Sequence, residues 1–191
     1  LPISLKIGKQ FPNVINDIVD ISGLSFNALP PIDLPFRFFL SAPLFVLLSA
    51  GHIFYSGESL WLSRWQPSML ALTHGFTLGF ITMIMMGALL QLLPVIGGIG
   101  IAKPRLIASS SHALLTAGTL CLMANFLWPQ AVLFYMSVVL LALTFIIYIS
   151  ALTWVLTKKL SQGDSIIGIR FAVFAFVVVV IIGLILLSRS Q

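Results

Sequence analysis

Charge is the scarcest property of this sequence: only 8% of its 191 residues are Asp, Glu, Lys or Arg, and five residues in all are acidic. Those five, Asp17, Asp20, Asp33, Glu58 and Asp164, stand in or beside loops, and none is spaced to orient a histidine. A Ser–His–Asp hydrolytic arrangement is therefore excluded. The single cysteine, Cys121, rules out an internal disulfide and any cysteine-based zinc or iron–sulfur centre within one chain. Histidine is nearly as rare, with His52, His74 and His112 far apart and none adjacent to another. Neither a repeat of fixed period nor a low-complexity linker divides the chain.

Apolar residues fill the space that charge leaves. The chain is 59% hydrophobic with a mean hydropathy of +1.11, more than a water-soluble domain of this length can hide. The fold class is all-α, an integral membrane bundle of about five helices, because only helices satisfy their own backbone in lipid at this length. The spans fall at about 36–55, 69–93, 106–127, 131–156 and 166–187, making one transmembrane domain over 34–191. Residues 1–33 form an N-terminal interfacial segment. Within it Asn13 can cap a short helix whose Val14, Ile15, Ile18 and Ile21 face away from Asn16, Asp17 and Asp20. Pro67 is placed to begin the second span, and Trp61 and Trp65 favour the membrane interface.

The stretch Met69–Gly98 organises the rest. No side chain from Met69 to Leu93 carries a fixed charge, and at ~1.5 Å per residue the run crosses a hydrocarbon core. Pro94 is expected to stop the helix. His74 lies inside it, and an ionisable imidazole within a span is a functional-site hypothesis by default. Gly75 and Gly79 remove bulk on one face, with Ala71, where a second helix or a flat cofactor approaches. Each histidine also has a structural alternative: a hydrogen bond to a backbone carbonyl or to a serine on the next helix. That alternative weighs most on His112, which follows Ser109, Ser110 and Ser111 and is the weak candidate. Met83, Met85 and Met86 are possible soft ligands for copper(I), but methionine at such positions usually packs. The glycine-rich turn Gly97–Gly98–Ile99–Gly100 lacks the ending of a phosphate loop.

Basic residues set the orientation. With the N-terminus in the cytoplasm, Lys6, Lys9, Arg37, Lys103, Arg105, Lys158, Lys159 and Arg170 gather at the inner end, against Arg64 and Arg189 outside. The net charge of +5 is thereby absorbed by topology, and no nucleic-acid partner is implied. His52 and His74 then lie at similar depth near the outer face, and His112 near the inner one.

The run T-H-G-F-T-L-G-F-I-T-M-I-M-M-G-A-L-L-Q-L-L-P, a glycine-bearing loop, and Lys103-Pro104-Arg105-Leu106 resemble the second helix of haem–copper oxidase subunit I and the start of its third. The matching positions are His74, Gly87, Pro94 and Pro104-Arg105-Leu106. The chain is also similar to membrane proteins of the NnrS-related haem and copper family, which the opening P-F-R-F-F-L fits. The likeness covers about residues 35–127. It implies that His74 is an axial ligand of haem b, with Gly75 and Gly79 beside the cofactor and His52 the first choice for the second ligand. It does not carry over oxygen reduction, which needs copper-binding histidines on later helices; three histidines cannot build that binuclear site, so the chain alone is not expected to be an enzyme. The function expected is electron transfer or a redox subunit in a bacterial inner (plasma) membrane, N-terminus inside and C-terminus outside. A homo-oligomer or larger membrane complex, with a quinol or cytochrome as electron partner, accompanies that reading. The alternative is a protein that handles, transports or inserts copper or haem, with His52, His74 and His112 as metal contacts.

Overall fold

The computed structural model describes residues 29–158 and 164–189. Every regular element among them is a helix. Helix α1 is Asp33–Ser56, followed by the 3-10 turn Gly57–Trp61. Helix α2 runs over Pro67–Gly97, α3 over Pro104–Leu127, α4 over Ala131–Leu156 and α5 over Asp164–Arg189. The first four are long and apolar enough to cross a membrane; α5 contributes a shorter apolar stretch, Ile167–Gly183. The interfacial helix expected near residues 14–21 lies outside the described residues.

Local chemistry explains most of the boundaries. Gln66 is extended and Pro67 takes the first helical position, where its missing N–H costs nothing. Pro104 opens α3 in the same way, after Lys103 at φ 47°. Helix α1 ends at Gly57 with φ 55°, a region that favours glycine. Pro94, expected to stop α2, does not do so. The helix continues one turn to Gly97, and the stop is Gly98, left-handed at φ 69°, whose N–H donates to the Pro94 carbonyl at 2.9 Å. A proline removes only one donor and crowds only the turn before it, so a helix held on both sides by neighbours continues through it. Pro43 is carried inside α1 likewise.

The core lies where α1, α2, α3 and α4 meet. Phe38, Met83, Met86, Leu115 and Tyr148 are fully enclosed there. The Tyr148 hydroxyl donates to the Met86 carbonyl at 2.5 Å, which satisfies a phenol that would otherwise be orphaned in an apolar interior. Helices α3 and α4 make the most extensive pairing, seated by Gly118 against Leu140 and Leu141. Helix α5 packs on α4 and on the Met83–Gly97 portion of α2. Large apolar side chains stay exposed along the outward faces of α1, α4 and α5, including Leu40, Leu47, Ile146, Phe171 and Phe174. Hydrocarbon, unlike water, imposes no penalty on such a surface.

Candidate functional site: the crevice beside His74

Helix α2 is not uniform. Pro67–His74 and Met83–Gly97 are α-helical, but Gly75–Thr82 is a π-helical segment. The widened turn begins at the residue after His74. The Thr82 hydroxyl donates five residues back, to the Thr77 carbonyl at 2.9 Å, while Thr77 itself bonds four back to Thr73 at 2.8 Å. Such segments are rare in helices and occur frequently at functional sites. Sequence periodicity carries no mark of this one; the pair Gly75 and Gly79 is its only trace.

Those glycines face protein. A Cβ on Gly79 would lie 2.8 Å from Phe45 Cβ and nearer still to the first ring atoms, so α1 is pressed against the π segment. A Cβ on Gly75 would meet the Met123 thioether sulfur of α3 at 2.8 Å. With Ala71 fully buried, the small-residue face meets second helices, one of the two occupants expected for it.

His74 is half-buried at the lip of this segment. Its Nδ1 donates to the Leu70 carbonyl one turn back at 2.8 Å, which fixes the tautomer and leaves Nε2 with its lone pair. Phe126 of α3 lies against the imidazole, centroids 5.1 Å apart at 34°, and holds the ring plane. His74 lines a crevice of about 370 Å³. Helix α2 also contributes Thr77, Leu78 and Thr82 to it, and α3 contributes Leu122. The other walls are Val138, Leu141 and Phe145 of α4 and Phe176, Val179, Val180 and Gly183 of α5. Both threonine hydroxyls are spent on their own helix, so the imidazole is the one polar pole of an apolar space.

The other two histidines take the structural alternatives. His52 Nε2 pairs with the Ser68 carbonyl at the start of α2, 3.0 Å away, tying the two helices together. His112 Nε2 pairs with the Ser41 hydroxyl of α1 at 2.7 Å, and Phe38 meets its ring edge-on at 5.2 Å. One turn earlier on α3, Ser109 accepts a hydrogen bond from Arg37 at 2.9 Å. Neither His52 nor His112 lines the His74 crevice. A second groove of about 380 Å³, between α1 and α2, has Ser49, Ala50, Leu72 and Phe76 in its walls and no histidine. Among the described residues no three of His, Cys, Asp and Glu gather. Of the methionines considered for copper, Met83 and Met86 are buried in the core and Met85 is exposed.

What sequence reasoning missed is the far side of the site. The α4 and α5 residues that wall the crevice carry no polar mark and read as ordinary span residues. Comparison with protein-family models, with curated proteins and with solved structures finds no match to this chain.

Proposed function

We propose that this integral membrane protein binds a b-type haem through Nε2 of His74 and serves as a one-electron redox centre in the bilayer. The observation that carries the reading is the state of that one side chain: Nδ1 anchored to the Leu70 carbonyl at 2.8 Å, Nε2 free, and the ring set in an apolar crevice. Histidines that hold metals almost always donate the other ring nitrogen in this way, which orients the imidazole and raises its basicity. The crevice has aliphatic and aromatic walls, as cofactor sites do, but its volume of about 370 Å³ is smaller than a whole haem and it holds no Lys or Arg, so only part of the macrocycle would sit inside it, with the propionates outside. Haem, when bound, supplies an iron couple whose potential responds to axial ligand and burial. The chain's own part is to orient the ligand through Leu70 and Phe126 and to exclude water with the residues of α4 and α5.

The sequence resemblance supports the same residue, and the charge distribution supports an inner-membrane orientation with the N-terminus in the cytoplasm. Copper handling is less favoured, because Met83 and Met86 are committed to packing and His52 and His112 to helix-bridging hydrogen bonds. The test is direct: purify the protein, measure haem by pyridine haemochrome, and repeat with His74→Ala. One haem per chain in the parent and none in the variant supports the reading. A colourless parent supplied with haem during expression refutes it.

A further inference from the structure

We infer that the end of the bundle where α1 and α3 begin holds the headgroup of an anionic phospholipid, its phosphate received by Arg37, Arg105 and Ser109. None of these residues lines the His74 crevice, and haem has no part in the contact. The Arg37 guanidinium donates from Nη1 to the Ser109 hydroxyl at 2.9 Å, and one turn further along both helices Ser41 meets His112 at 2.7 Å. Residue numbers rise together in the two pairs, so α1 and α3 run parallel here, and the turn before brings Asp33 and Arg105 to one level. Arg105 and Ser109, four residues apart, share a face of α3.

Charge at this end is unbalanced. Arg37, Lys103 and Arg105 stand against Asp33, whose carboxylate lies 3.5 Å from Arg37 Nη2. No acid among the described residues pairs with Lys103 or Arg105, and both are exposed. Asp33 and Ser109 fix the Arg37 guanidinium between the helices, yet about half of the side chain stays exposed. A guanidinium carries five N–H donors, so most of the fork is still free. Ser109 accepts from Arg37, and its own O–H donates to no group among the described residues. Two guanidinium groups and a hydroxyl are a donor set that suits phosphate oxygens.

The surface beyond the cations selects a lipid rather than a free anion. Arg37, Leu40, Leu44 and Leu48 follow one another at helical spacing on one face of α1. All three leucines are half or more exposed. A phosphate held at Arg37 therefore has an apolar ridge running from it into the bilayer, along which an acyl chain lies. Basic side chains between spans at a membrane surface bind anionic headgroups in the same manner.

Phosphatidylglycerol is the probe. The full chain is purified in non-ionic detergent, stripped of lipid and titrated with phosphatidylglycerol or phosphatidylcholine, and bound lipid is counted by native mass spectrometry. A single phosphatidylglycerol per chain should bind saturably, and phosphatidylcholine several-fold more weakly. Arg105→Gln, which alters an exposed side chain with no ion pair, should weaken binding about five-fold. Arg64→Gln removes the same charge at the opposite end and should leave binding unchanged. Ser109→Ala alters no charge, yet should weaken binding several-fold by removing a donor and the hold on Arg37. Equal losses in Arg64→Gln and Arg105→Gln, or no loss in Arg105→Gln and Ser109→Ala, overturn the inference and leave only diffuse attraction. Equal affinity for the two lipids overturns the preference for an anionic headgroup. Displacement of the lipid by inorganic phosphate at equal concentration also overturns it, and assigns the cations to a free anion.

Discussion

Replacing Gly79 by alanine adds one methyl group at the tightest helix contact near the site. That carbon would stand 2.8 Å from Phe45 Cβ. Ordinary carbon contacts begin near 3.4 Å and the first ring atoms are nearer still, so α1 and α2 must separate by roughly an ångström or Phe45 must leave its rotamer. The clashing atoms are the stem and first ring atoms of Phe45, which cannot swing aside as a flexible chain end does. Phe45 is only 3% exposed, so its ring has little room to turn. Overpacking of this kind costs about 1–3 kcal/mol, and the first 1–2 kcal/mol already change the folded-to-unfolded ratio about 5- to 30-fold. The assay is a double-mutant cycle on unfolding in mixed micelles, with Gly79→Ala, Phe45→Ala and the pair. Gly79→Ala should destabilise the parent but cost little in the Phe45→Ala background, a coupling of about 1 kcal/mol or more. Equal cost in both backgrounds would refute the close-approach account of the π segment.

Tyr148→Phe removes a buried hydroxyl from the Met86 carbonyl and should cost about 1 kcal/mol of stability without changing haem content; a large loss of haem would show that Tyr148 does more than tie α4 to α2. His112→Ala should leave the visible spectrum unaltered and only weaken the α1–α3 contact through Ser41, so a bleached variant would move the site to that end of the bundle. Cysteines introduced at Ser63 and Lys158 of a Cys121→Ala protein should react with an impermeant maleimide from outside only at position 63; the reverse pattern would invert the proposed topology.

Much of the bundle is legible in the sequence because burial in lipid leaves a coarse record. The expected spans 36–55 and 131–156 differ from Asp33–Ser56 and Ala131–Leu156 by at most three residues, since Pro35, Pro129 and the flanking polar residues mark the changes of environment. Pro94 misleads, because proline ends an isolated helix more readily than one enclosed by neighbours. The π segment is hidden for another reason: it depends on Phe45 and Met123 arriving from helices distant in the chain. His74 stands out as an ionisable group in an uncharged run, whereas its Leu70 anchor is local geometry and its α4 and α5 walls are tertiary. Depth alone pairs His52 with His74. It does not record which way Nε2 points, and Ser68 decides that.

The central claim is that His74 holds the haem. Haem stoichiometry and the reduced-minus-oxidised spectrum of the purified parent, set beside His74→Ala and His52→Ala, test it most directly. The account predicts b-type bands at one haem per chain in the parent and in His52→Ala, and none in a folded His74→Ala. Retention of those bands by His74→Ala would contradict it.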